Sequence, residues 1–284
     1  MIGRVRVLGR HSKEIDLESS IHNRLYCHLE FRQMTAQPGW ELTQSGHARS
    51  IRRMFGQIAP GYDVMNRLMS AGQDLRWRRA AIQAADLRPG DRFLDVATGT
   101  GDLVFLAQSA VPDLRTYAVD FAPRMLQVGK SRSDTAAGHG CSNWIAADTY
   151  LLPFDRNQFH AVVSGFLLRN LTDPLAAIQE QTRVLRPGRR LVMLDATPPP
   201  QNALQPFINF YLHTVIPLLG RLVARHAGAY RYLPRSVAAF LHPEAIAALF
   251  EQAGLVNIHH RSFLSGVSAL VMGTKPDAGV QNDG

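Results

Sequence analysis

The chain has 284 residues, 46% of them hydrophobic, with a formal charge of +8 and a pI near 10. That size and apolar content suit one α/β domain with a tail at each end, and exclude a wholly disordered chain. The basic residues are nearly all arginine, scattered as pairs such as Arg52-Arg53, Arg78-Arg79 and Arg189-Arg190, which argues against a nucleic-acid stripe.

Two cysteines, Cys27 and Cys141, lie far apart without metal-ligand spacing, so neither a disulfide framework nor a metal site is expected, and a reducing cytoplasm fits. Residues 1–45 lack a helical or strand period and the continuous apolar run of a signal peptide; they read as an N-terminal extension compatible with disorder. Residues 46–276 are expected to form the domain, with a helical cap inserted at about 200–235 and a short tail at 277–284. The longest apolar region, Phe207 to Leu219, carries Asn209, His213 and Pro217 and is too short to span a bilayer.

From Arg49 to Ala85 apolar residues recur at helical spacing (Ile51, Met54, Phe55, Ile58; Met65, Leu68, Met69), broken at Pro60-Gly61, which predicts two or three helices over the site. Strands and helices then alternate: strand Arg92 to Val96, helix from Asp102; strand Thr116 to Val119, helix from Pro123; strand Trp144 to Ala147; strand Phe159 to Ser164, helix from Pro174; strand Arg190 to Asp195. Alternation of this kind means a parallel sheet with helices on both faces. After Pro198-Pro199-Pro200 comes the amphipathic cap, then a helix from Pro243 to Ala253 and strands Val256 to Ser262 and Val267 to Gly273, the last antiparallel.

The segment Asp95-Val96-Ala97-Thr98-Gly99-Thr100-Gly101-Asp102 follows the apolar Phe93-Leu94. A carboxylate at a strand end, Asp95, can hold an ammonium group, and glycines at 99 and 101 let backbone approach a ligand closely. A dinucleotide fingerprint wants Gly or Ala three residues after its second glycine, and Val104 stands there. The segment resembles instead the S-adenosylmethionine site of class I methyltransferases, a Rossmann-like fold; a simple strand-to-helix turn is the alternative. Asp120, nineteen residues after Gly101, closes the second strand where an acid can accept from both ribose hydroxyls, or cap the helix that opens at Pro123. Asp148-Thr149 follows the third strand, where a carboxylate can accept the adenine amine or form a turn. A parallel sheet delivers these loops in this order to one ligand at its carboxyl edge.

Four further segments are more specific: Tyr62-Asp63-Val64-Met65-Asn66 with Ser70 and Trp77; Phe166-Leu167-Leu168-Arg169-Asn170-Leu171-Thr172-Asp173; Arg183-Val184-Leu185-Arg186-Pro187-Gly188; and Tyr230-Arg231-Tyr232-Leu233. With the ending Ser265-Gly266-Val267-Ser268-Ala269-Leu270, they resemble the menaquinone/ubiquinone biosynthesis C-methyltransferases from about Arg49 to Lys275. The resemblance implies methyl transfer from S-adenosylmethionine to a ring carbon of a polyprenylated quinol, foremost demethylmenaquinol, with cofactor contacts at Thr100, Asp120, Asp148, Thr149 and Gly165. A ubiquinone-precursor benzoquinol is the alternative substrate, and a non-catalytic cofactor-binding scaffold the alternative role. Departures from the family pattern are Gly165 for Ser, Asp74 for His, His160 for Asp, Arg189 for Gly, and Asp195-Ala196-Thr197 for Glu-Phe-Ser.

A ring carbon attacks a sulfonium methyl once the neighbouring hydroxyl ionises, so the quinol is the expected substrate and no metal or bound redox cofactor is needed. Arg169 can stabilise the phenolate or orient a water, or merely pair with Asp173; Asn170 can position the ring oxygen. Tyr62 can close over the cofactor, bond the quinol or pack as an aromatic, and Asn66 is similar but weaker. His213 and His242 read as structural. Phe207, Phe210, Tyr211, Val215, Ile216, Leu218 and Leu219 either line an isoprenoid groove or pack the cap. Beside Arg221 and Arg225 that face also suits peripheral contact with a membrane. A cytoplasmic protein, with a homodimer as a further expected partner state, completes the reading.

Overall fold

The computed structural model describes residues 46–135, 142–198, 205–216, 218, 232 and 236–277. The extension 1–45 with Cys27, Cys141, most of the cap (including Leu219, Arg221, Arg225, Tyr230, Arg231 and Leu233) and the tail beyond 277 lie outside the described residues, as do the side chains of Phe207 and His213.

The apolar runs become strands β1 (Arg92–Val96), β2 (Arg115–Asp120), β3 (Ser142–Ala146), β4 (Phe159–Gly165), β5 (Leu185–Ala196), β6 (Val256–Phe263) and β7 (Ser268–Thr274). They form one sheet in the order β3-β2-β1-β4-β5-β7-β6. The first five are parallel; β7 runs antiparallel to both β5 and β6. Central strands covered on both faces need apolar side chains on both; in β4, Ala161, Val162 and Val163 are all 0% exposed. The order reverses beside β1, whose neighbours are β2 and β4, and this switch point puts the loops after β1, β2 and β4 around one crevice.

The region before the sheet folds as three helices, α1 (Gly46–Ile58), α2 (Tyr62–Met69) and α3 (Gln73–Ala84), with a 3-10 turn at Ala59–Gly61 where Pro60 supplies a fixed φ. Helices α4 (Asp102–Ala110), α5 (Pro123–Thr135), α6 (Pro174–Val184) and α8 (Pro243–Gln252) flank the strands, and α7 (Gln205–Phe210) continues into a π-helical stretch, Tyr211–Val215. One core packs Leu94, Val162 and Met193 against Ile178 of α6 and Phe250 of α8. The opposite face packs Phe93, Val163 and Leu194 against Trp77, Ala81, Leu103 and Phe105 of α3 and α4. A third cluster, Ile58, Met65, Met125 and Ile216, joins α1 and α2 to α5 and the described part of the cap.

Strand β5 starts at Leu185, five residues before the expected Arg190, because its pairing with β4 is interrupted: Phe159 faces Leu185, but Ala161 faces Arg190. Pro187 lacks an amide proton and Gly188 has φ +69°, so the strand makes an excursion between its two paired parts.

Candidate active site

At the carboxyl edge, the backbone after both central strands turns left-handed: Ala97 has φ 58° and Phe166 φ 61°, beside Gly99 at 59° and Gly101 at 90°. Non-glycine residues in that region cost energy and concentrate where a site is shaped. Here they follow the last paired position of β1 and β4, Val96 opposite Ser164, and leave a gap beyond it. The gap is a cavity of about 250 Å³ lined by Gly99, Asp120, Asp148, Thr149 and Gly165, closed over by Phe55 and Tyr62.

Asp120 is 6% exposed and occupies the end of β2. Its Oδ2 accepts from the Gly99 amide at 2.8 Å and its Oδ1 from the Ala122 amide at 2.8 Å, so it braces the glycine turn. Ala122, not Asp120, directly precedes Pro123 at the start of α5. Burial pushes the Asp120 carboxyl up to about 6, and the Ala122 and Gly99 amides hold it back from rising further. Asp148 makes the turn: its Oδ1 accepts from the Tyr150 amide at 3.1 Å. Thr149 is 8% exposed, and its hydroxyl has no hydrogen-bond partner among the described residues. A buried orphan hydroxyl on a cavity wall, next to two carboxylates at strand ends, fits a bound nucleoside, whose hydroxyls and exocyclic amine would satisfy these atoms.

Asp95, Thr100 and Gly101 do not line that cavity, although Val96 and Ala97 do. Asp95 is 0% exposed; its Oδ2 accepts from the Thr98 hydroxyl at 2.6 Å, while Oδ1 has no partner among the described residues. Burial raises its carboxyl to about 7 despite Thr98 and Arg78. The Thr100 hydroxyl is directed at Asp63 Oδ1, 2.5 Å away. Gly101 is small for a packing reason: a Cβ there would sit 2.5 Å from Cη2 of Trp144. Gly165 does face the cavity, but a Cβ on it would point at Leu103 Cδ1, 3.1 Å away, and at Arg78 Nη1, 3.5 Å away.

A second cavity, about 140 Å³, shares Phe55, Tyr62, Phe166 and Asn170 with the first. Its wall is mostly apolar (Met54, Ile58, Met69, Trp77, Ile216, Val237, Val267), with Asn66, Ser70, Asp74, Arg169 and Tyr232 as polar groups. Arg169 pairs with Asp195 at the end of β5, Nη1 to Oδ1 at 2.5 Å, and not with Asp173, which instead caps α6 through the Ala176 amide. Both partners are nearly buried, with side chains 6% and 3% exposed, and Arg169 Nε has no partner among the described residues. Burial lifts the Asp195 carboxyl above its usual range and Arg169 opposes that. Asn170 donates from Nδ2 to the Phe166 carbonyl at 3.0 Å and accepts at Oδ1 from the Tyr232 hydroxyl at 3.2 Å. Tyr62 lies edge-on to Phe55, with centroids 6.0 Å apart, and burial raises its hydroxyl while Arg78 and Arg169 pull it down. A side-chain hydrogen bond with Asn66 also pulls the Tyr62 hydroxyl down. His242 takes the N-cap position of α8 but makes no side-chain cap bond.

The match to the ubiE/COQ5 methyltransferase family spans residues 42–275. The chain belongs to that family. The ubiquinone/menaquinone biosynthesis C-methyltransferase UbiE of Desulfotalea psychrophila is 42% identical over 225 residues, 79% of this chain and 90% of that relative. The demethylmenaquinone methyltransferase of Thermus thermophilus is 41% identical over 223 residues, 78% of this chain and 100% of that relative. A putative methyltransferase of Bacillus halodurans, 20% identical, superposes with a TM-score of 0.51 over 72% of this chain and 100% of its own, a likeness of fold. As a member of the ubiE/COQ5 family the chain is a methyltransferase whose methyl donor is S-adenosylmethionine.

Several residues of the ubiE/COQ5 site carry no local signal in the sequence. Phe166 walls both cavities from a left-handed backbone that aromatic residues seldom adopt. Asp195 holds Arg169 from a separate strand, twenty-six positions away. Asp63 lay inside a recognised segment without a role, and its partners Thr100 and Arg132 are far off in sequence.

Proposed function

We propose that this enzyme methylates a ring carbon of a reduced, polyprenylated quinone precursor, foremost demethylmenaquinol, and that the first cavity holds the methyl donor and the second the quinol ring. The observation that carries this reading is the wall shared by the two cavities, Phe55, Tyr62, Phe166 and Asn170, through which the two ligands would meet.

When bound, S-adenosylmethionine supplies an electrophilic methyl on a sulfonium. The protein's part is placement and charge. Asp120, Asp148 and Thr149 offer acceptors and a hydroxyl at the strand ends for the nucleoside. Arg169, fixed by Asp195, keeps a permanent cation beside the second cavity, where it stabilises the ring oxygen as a water takes that oxygen's proton. One hydrogen of Asn170 Nδ2 is held by the Phe166 carbonyl, and the other is free to reach the same oxygen. The apolar lining excludes water from the reacting pair.

The test is methyl transfer by the purified enzyme to chemically reduced demethylmenaquinone, with the oxidised quinone and a ubiquinone-precursor benzoquinol as comparisons. Turnover of the naphthoquinol alone is expected. Preference for the benzoquinol would change the substrate, and no turnover with cofactor bound would favour a scaffold.

The substrate's isoprenoid tail supports a second element of this reading, action at a lipid surface. Among the described residues no helix is long and apolar enough to cross a membrane. Yet Val64 and Leu68 on α2 are 56% and 43% exposed, Phe210 and Leu218 are 63% and 51% exposed, and the Tyr211 hydroxyl joins the two regions by donating to the Met69 carbonyl at 3.2 Å. Sedimentation with anionic phospholipid vesicles is expected to carry the protein down, and Leu68→Ser with Phe210→Ser to reduce this several-fold; unchanged sedimentation removes this face from the contact.

A further inference from the structure

Helix α2 turns two faces to different tasks. Tyr62 and Asn66, one helical turn apart, face the cavities. Asp63 and Arg67, also one turn apart, line neither cavity and enter a network of charges. Asp63 Oδ1 accepts from the Thr100 hydroxyl at 2.5 Å, and Oδ2 accepts from Arg132 Nη1 on α5 at 2.8 Å. The same Arg132 nitrogen donates to the Thr100 carbonyl at 2.9 Å, and Arg132 Nη2 donates to Asp102 Oδ1 at 3.0 Å. Arg67 bonds Asp102 at 2.7 Å and also pairs with Asp74. The helix that carries Tyr62 is thus fastened to the glycine turn itself.

We propose that Asp63 is a positioning residue for methyl transfer, and that its bond with Thr100 makes the wall between the two cavities follow the state of the cofactor turn. The connection is continuous. Thr100 adjoins Gly99, whose amide donates to Asp120, the carboxylate at the nucleoside cavity. A Cβ on Gly99 would lie 3.7 Å from Cε1 of Tyr62, so the tyrosine ring sits directly over the turn that Asp63 grips. Cofactor that orders the turn through Asp120 therefore orders Tyr62 and Asn66 through Asp63, which readies the second cavity for its ring. This assigns the Thr100 hydroxyl to the helix and not to the cofactor. Two sites linked through a shared element need measured coupling, not proximity, as their warrant.

The inference rests on the methyltransferase reading of the two cavities, and its test has one arm that needs no quinol. Amide hydrogen exchange across residues 62–69 is followed with and without S-adenosylhomocysteine in the wild type, Thr100→Val, Thr100→Ser, Asp63→Ala and the Thr100→Val/Asp63→Ala double variant. In the wild type and Thr100→Ser the ligand should slow exchange of α2; in Thr100→Val and Asp63→Ala this protection should vanish, with ligand affinity within about twofold. In the kinetic arm, Thr100→Val and Asp63→Ala should each lose on the order of tenfold in kcat/KM for the quinol, with no further loss on combination. Thr100→Val alone weakening ligand binding would return Thr100 to the cofactor site and overturn the proposal. So would ligand-induced protection persisting in both single variants. Should wild type bind the ligand yet not methylate demethylmenaquinol, the substrate reading fails while the exchange result still decides the role of Asp63.

Discussion

At the scale of single residues, burial decides the behaviour of the carboxylates that matter. On the proposed reading Asp120 accepts from two ribose hydroxyls at once and must be ionised to do so, while burial pushes its carboxyl up to about 6. The ionised form binds better, so affinity for S-adenosylhomocysteine should rise as pH goes from about 5 to 7, falling up to tenfold per unit below the titration point. Calorimetry across that range checks this, and Asp120→Asn should flatten the profile and weaken binding at pH 7. Stability responds with the opposite sign. The raised values of Asp95, about 7, and Asp120, about 6, mean that the folded state holds these protons more tightly than the unfolded chain. Their contribution is complete below about pH 4 and is lost as pH rises through those values. Arg169 makes a separate prediction. A guanidinium that meets charge only as it develops affects turnover and not cofactor affinity, so Arg169→Ala should lose about a hundredfold in kcat. Arg169→Lys should recover little, because an ammonium cannot hold Asp195 and face the ring oxygen with one planar fork. Near-normal turnover by either variant would remove Arg169 from the chemistry. That Asp120, Asp148 and Arg169 would lie at the cavities was legible in the sequence because each follows an apolar run or sits in a specific segment, whereas Asp95 proved to lie outside the cavity. The ion-pair partner was not legible, since local spacing favoured Asp173 and only the pairing of β4 with β5 brings Asp195 close.

At the scale of elements, the glycine turn does two things that look alike in sequence. Gly99 faces the cavity and its amide braces Asp120, whereas Gly101 yields to the indole of Trp144 from β3. Both have positive φ, so the residue type is explained at each, but the reason differs. Gly101→Ala combines a φ of 90° with a Cβ 2.5 Å from Trp144 Cη2. It should cost about 2–3 kcal/mol, or roughly 5–10 °C in Tm, as seen by thermal melting without ligand. A loss of stability below half of that would mean that the indole moves aside easily. Periodicity gave the seven strands to within a few residues, apart from the start of β5, and two or three leading helices where the structure has three, because apolar spacing and turn-forming prolines are local. The excursion in β5 was hidden, since it depends on which β4 residue each part of the strand faces.

At the scale of the molecule, the sheet alone makes half a site. The loops of its carboxyl edge supply the acids, but Phe55, Tyr62 and Asn66 arrive from helices that precede the first strand, held by the cluster of Ile58, Met65, Met125 and Ile216 and by the charges around Asp102. The leading helices therefore wall both cavities. The order of elements made this visible in outline; the closing of both cavities by one helix face was not, because it depends on packing across the switch point. This bears on where the functional unit begins. The family match opens at residue 42, and His47, Ala48 and Ile51 already line the first cavity. A chain beginning at Met34 keeps all of these groups and should melt cooperatively, bind S-adenosylhomocysteine within about twofold of the full chain and retain turnover. A chain beginning at Gly56 would lose Ile51 and Phe55, opening both cavities to water, and should lose cofactor affinity on the order of tenfold while the sheet core, whose two clusters include neither residue, still unfolds in one transition. Loss of turnover in the longer truncation product would place functional groups before residue 34, whereas unchanged cofactor binding in the shorter one would exclude α1 from the site.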